Sequence, residues 1–104
     1  MRRTRSETLA YVVDYLKDKK KPLKMSEEKA RAVFDEYFNG NDIFTAYEYP
    51  HNYVLIYSDV VFNEVIYNVM LVDKLDTDTI IAELDFDTER DLRKYVVEYL
   101  HLEF

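Results

Sequence analysis

The chain has 104 residues, 48% of them hydrophobic and 15% aromatic, with no cysteine, a single glycine and a net charge of −7. That length is one domain's worth and that apolar fraction supplies a core, so neither a second domain nor global disorder is expected. The missing cysteines exclude a disulfide framework, thiol catalysis and cysteine-held zinc or iron–sulfur sites, and they fit a reducing, cytoplasmic setting.

The N-terminal Met1-Arg2-Arg3-Thr4-Arg5 is basic, but Asp14, Lys17 and Asp18 interrupt the residues that follow, so no secretory signal is expected. Thr4 and Glu7 have the spacing of a capping box, and Leu9, Val12, Val13 and Leu16 follow at helical spacing. A first helix is therefore expected over about Arg5 to Lys19, ended by Pro22. Ser26 is a good N-cap for a second helix, whose apolar stripe is Ala30, Val33, Phe34, Tyr37 and Phe38. Asn39-Gly40 should end it, with Gly40 in a left-handed conformation.

From Ile43 the period changes to two. Ile43 to Tyr49, Tyr53 to Val61, Val65 to Asp73 and Asp78 to Asp87 read as strands, separated by Pro50-His51-Asn52, Phe62-Asn63-Glu64 and Leu75 to Thr77. The second turn has no glycine, which leaves its type open. In the last strand Ile80, Ala82, Leu84 and Phe86 alternate with Ile81, Glu83, Asp85 and Asp87, so one face should be apolar and the other mostly carboxylate. A third helix follows Thr88, with Leu92, Tyr95, Val96, Tyr99 and Leu100 as its stripe. The expected fold is α+β in the order ααββββα: a four-stranded antiparallel meander with helices packed mainly on one face and the other face open. The apolar runs Tyr53 to Tyr57 and Val69 to Val72 are too short to span a bilayer, so no membrane segment is expected.

The sequence carries no recognisable catalytic or ligand motif. Counting an EF-hand loop from Asp76 places Ile81 where glycine is needed and Asp87 where glutamate is needed. His51 and His101 have no neighbouring histidine at helical metal-site spacing. Glu27-Glu28-Lys29 opens a helix and suits its dipole, and one glycine cannot build a phosphate-cradling loop. No cofactor, metal or enzymatic activity is expected.

Charge is the informative pattern. Residues 1–24 carry eight Lys/Arg against three acids, and the remaining eighty carry six against eighteen, a net of +5 followed by −12. Residues 73–91 hold eight acids, among them Asp73, Asp76, Asp78, Glu83, Asp85 and Asp87, against Lys74 and Arg90. Tyr47, Tyr49, Tyr53, Tyr57 and Tyr67 fall on expected strands at one parity within each strand, which would allow an exposed aromatic patch beside the acids. Tyrosine suits binding hot spots, and carboxylates steer basic partners. The pattern points to a non-enzymatic protein-binding module of the inhibitor or immunity type, a nucleic-acid mimic in one version, docking on a basic protein such as a nucleic-acid enzyme or host-defence complex. The alternative is a regulatory protein that meets nucleic acid through Arg2, Arg3, Arg5, Lys19, Lys20 and Lys21, against which the acidic remainder of the chain argues. A free strand edge could also pair two copies into a homodimer.

Overall fold

A computed structural model describes residues 3–19 and 21–104. The elements run α1 (Arg5–Lys17), β1 (Leu23–Lys24), α2 (Glu27–Val33), α3 (Asp35–Phe38), β2 (Asp42–Glu48), β3 (Asn52–Val61), β4 (Glu64–Asp73), β5 (Ile80–Phe86) and α4 (Glu89–Lys94), followed by a π-helical turn over Tyr95–Tyr99. The fold is α+β, and the sheet is an antiparallel meander in the order β1-β2-β3-β4-β5. It has five strands where four were expected. The addition, Leu23–Lys24, pairs with Glu48 and Tyr47, and two residues are too few to display a period of two.

Capping chemistry sets the helix boundaries. Thr4 Oγ1 accepts from the Glu7 amide and the Glu7 carboxylate accepts from the Thr4 amide, each at 3.2 Å. Ser26 and Thr88 accept from the amides of Lys29 and Asp91 in the same manner, and a cap of this kind contributes about 1 kcal/mol. The single second helix of the sequence reading breaks at Phe34 (φ −114°, ψ 39°) into α2 and α3. Gly40 corrects another expectation: its φ is not positive, and Asn39 ends α3 at φ −83°. The left-handed closure occurs instead at His101 (φ 57°), where the Leu102 amide donates back to the Val96 carbonyl.

The sheet buries both faces, with unequal cover. On the first face Tyr47, Tyr49, Val54, Ile56, Val69, Leu71, Ala82, Leu84 and Phe86 meet Val12 and Leu16 of α1 and Leu92, Tyr95, Val96 and Leu100 of the C-terminal helical segment. The Tyr95 hydroxyl donates to the Leu9 carbonyl at 2.7 Å and ties those two helices together. On the second face Ala46, Tyr53, Leu55, Tyr57, Met70 and Val72 meet Met25, Ala30 and Phe34, with Val33, Tyr37, Phe38 and Ile43 at the border. The larger helical layer thus lies on one face, as expected. The face expected to be open is covered in part, because the stripe on α2 and α3 needs an apolar surface of its own.

Two irregularities shape the exposed parts. Between Leu71 and Val72 the β4–β5 register shifts, pairing Leu71 with Ala82 but Val72 with Ile80. The bulge breaks the expected alternation: Ile81 packs against the first-face core and Ile80 is half exposed beside α2–α3. The second irregularity is a projecting hairpin. Because β2 reaches only Ser58 and β5 only Tyr67, the pairs Asp59–Ile66, Val60–Val65 and Val61–Glu64 extend beyond their neighbours. Phe62 and Asn63 turn the chain at φ 51° and 66°, the left-handed pair of a type I′ hairpin turn.

Candidate functional site

The solvent-facing tyrosine patch does not form. Tyr47, Tyr49, Tyr53 and Tyr57 are buried, and Tyr67 is partly buried. They also divide between faces: Tyr47 pairs with Val54 and Glu48 with Tyr53, which sends Tyr47, Tyr49 and Tyr67 to the first face and Tyr53 and Tyr57 to the second. Parity within a strand does not fix parity between strands; the turns at Pro50 and at Phe62-Asn63 do. Two of the phenols serve as internal donors. Tyr47 donates to the Glu103 carbonyl and Tyr57 to Glu83 Oε2 at 3.3 Å. Burial holds Tyr49 up at about 12, and burial followed by the Glu83 charge holds Tyr57 well above the ordinary phenol range.

The acidic residues separate into three sets. Asp73 and Asp76 staple the β4–β5 turn: Asp73 accepts from the Leu75 amide at 2.8 Å, and Asp76 accepts from the Asp78 amide at 3.1 Å and the Thr79 hydroxyl at 2.8 Å. Asp78 lines a cleft of about 340 Å³ with Asp35, Glu36, Tyr37 and Ile80. Glu83 and Asp85 stand on β5 and face the second side of the sheet, as the alternation predicted, with Asp87 just beyond the strand.

The last set meets residues the sequence reading did not single out. Glu83 and Asp85 line a trough of about 460 Å³ with Asp59, Asn68, Tyr57, Val61 and Ile66. This is the part of the second face that α2–α3 do not reach. Tyr57 stands at its inner end with the Tyr37 ring tilted against it at 60°, centroids 5.3 Å apart. Burial raises the Tyr37 phenol first, and Glu83, Glu36 and Asp78 add to the shift, so carboxylates surround a pair of neutral phenols. Among the described residues neither Asp59 nor Glu83 has a cation within salt-bridge distance, whereas Asp85 meets Arg5 at 3.4 Å. Asp59 was hidden because it is a lone acid in an apolar strand; only the β3–β4–β5 register brings it near Glu83.

The basic end is partly engaged with its own fold. Arg5 donates to the Asp85 carbonyl and lies 4.8 Å from the Phe86 ring centroid. Arg3 covers Tyr11 at 3.7 Å and Lys19 covers Tyr15 at 4.7 Å. Lys21 is exposed, and Arg2 and Lys20 lie outside the described residues. No helix among the described residues is long and apolar enough to cross a membrane, and no group of three or more acids and histidines there is placed to hold a metal ion. Neither a protein-family model, nor a curated protein, nor a solved structure matches the chain.

Proposed function

We propose that the chain is a non-enzymatic module that docks on a basic protein surface, in the manner of an inhibitor or immunity protein, through the acidic trough between the β3–β4 hairpin and β5. The observation that carries this is the convergence of Asp59, Glu83 and Asp85, from two strands separated by β4, on a stretch of the second face that α2–α3 leave uncovered. A concave surface of one sign focuses field and raises the encounter rate with an oppositely charged partner. A nucleic-acid enzyme or host-defence complex presents such a surface, and carboxylates on a rigid sheet can stand where phosphates would lie. The alternative contact with nucleic acid is weakened by Arg5, whose guanidinium already meets Asp85.

The test is association with a protein recovered from the cells that express the chain, identified, and then purified. Its association rate should fall with salt and fall again for the Glu83→Lys/Asp85→Lys double variant. The chain should leave DNA and RNA unshifted at moderate salt. A salt-sensitive nucleic-acid shift lost on neutralising Lys19 and Lys21 would replace this reading with the alternative.

A further inference from the structure

The projecting hairpin carries an unusual tip. Phe62 is 94% exposed, and Val60, Val61 and Val65 beside it are 64%, 43% and 46% exposed. Val60 and Val65 pair across one face of the hairpin and Val61 lies on the other, lining the trough, so apolar side chains flank the tip on both faces and Phe62 projects between them almost wholly into solvent. The backbone sharpens the point. A bulky aromatic at φ 51° is disfavoured, and type I′ turns draw on asparagine, aspartate and glycine at that place. Phe62 therefore weakens the turn that holds it and has no compensating packing. A residue that costs the isolated chain at two levels is explained by something outside it.

We infer that Phe62 is an anchor that inserts into an apolar pocket on the partner protein, a pocket rimmed by lysine or arginine. The rim follows from what flanks the tip: Asp59 and Glu64 sit on the same hairpin and the acidic trough opens at its base. The same charges, on a chain of net −7, oppose an anionic bilayer, and a second copy would bring like charges together. The inference rests on the docking reading and adds a division of labour. The trough governs how fast the partner arrives, and Phe62 governs how long it stays.

Two measurements test it. In the first, Phe62→p-benzoylphenylalanine is photolysed in extract of the expressing cells, with the exposed Glu89→p-benzoylphenylalanine as control. An adduct from position 62 alone, mapping to an apolar pocket edged by basic residues of one protein, is expected. An adduct with lipid or with a second copy, adducts equal at both positions, or no adduct overturns the inference. In the second, Phe62→Asn should raise the thermal midpoint by about 4 °C because asparagine suits the turn, yet weaken the mapped partner about 30-fold, mainly through faster dissociation. Unchanged dissociation, with association still slowed by Glu83→Lys/Asp85→Lys, would refute the anchor and leave the docking reading standing. Association indifferent to both charge and salt would refute the docking reading itself.

Discussion

Replacing Phe34 by alanine examines the boundary of the trough, since this ring fastens the α2–α3 layer to the second face. It is 3% exposed and makes edge contacts with Tyr37 at 6.3 Å and Tyr53 at 5.8 Å. Loss of a buried ring costs roughly 3–5 kcal/mol, the spread reflecting how far the site collapses around the void. A short two-helix layer at a sheet margin can settle inward, so a value of about 3 kcal/mol is expected here. For a domain of this size that lowers the thermal midpoint by roughly 12–24 °C and moves the urea midpoint by about 2 M at a slope near 1.5 kcal/mol/M. Urea unfolding followed by far-ultraviolet circular dichroism measures it, with the part-buried Phe38→Ala as a milder comparison at about 1 kcal/mol. A loss below about 1 kcal/mol for Phe34→Ala at unchanged slope would mean that α2–α3 do not depend on this ring, and the trough would lose its fixed inner wall.

Other consequences follow from charge and from the chain's end. Glu83→Lys/Asp85→Lys changes the trough by four units; against one partner cation about 7 Å away, water and a Debye length of about 8 Å give about 1 kcal/mol, or about fivefold in association rate, shrinking below about twofold at 1 M salt. Stopped-flow mixing at the two ionic strengths reads both values, and a salt-independent effect would point to a folding defect. Glu48 accepts from Lys29 and Lys74, and those two contacts hold its carboxyl below the ordinary range. Its folded-state affinity for protons is therefore lower than in the unfolded chain, so the stabilisation is present above about pH 4.3 and lost as pH falls through the lower folded value. Urea melts of Glu48→Gln should differ from the parent at neutral pH and converge on it near pH 3; a constant difference contradicts the assignment. Tyr47→Phe removes the donor to the Glu103 carbonyl and should cost about 1 kcal/mol while raising hydrogen exchange over residues 100–104, which mass spectrometry would register.

The order of elements was legible because local chemistry wrote it: the Thr4–Glu7 box, the Ser26 and Thr88 caps and the alternation Ala82-Glu83-Leu84-Asp85-Phe86 each act over a few residues and survive into the fold. The tyrosines do not share a face because exposure depends on strand-to-strand register: the turn at Pro50 sends Tyr53 and Tyr57 to the second core and the turn at Phe62-Asn63 returns Tyr67 to the first. The lone Gly40 misled for a related reason. Glycine permits a left-handed residue without demanding one, and here φ is not positive. In the β3–β4 turn the reverse holds, with Phe62 and Asn63 in the left-handed region and no glycine to mark it. Phe62 was in view as a turn residue, and its large side chain in that place was the signal that could have marked it.

An acidic outer strand has a plainer use than docking, and the two uses can be told apart. β5 is the last strand of the sheet, and an unprotected edge invites pairing with another chain. Two β5 strands laid antiparallel would set Glu83 and Asp85 of one copy against those of the other, where like charges destabilise, and Arg5 occupies the Asp85 carbonyl besides. Those features would disfavour a homodimer through this edge, and they require carboxylates on β5 alone. They give no reason for Asp59 on β3, two strands inward, to face the same trough, nor for an exposed phenylalanine in a strained turn at the trough's end. Edge protection leaves both as unrewarded costs, whereas a basic partner that meets the carboxylates and receives the ring accounts for all three. The Asp59→Asn variant separates the two accounts: edge protection predicts no change in partner association, and docking predicts a slower, less salt-dependent rate with the oligomeric state unchanged by light scattering.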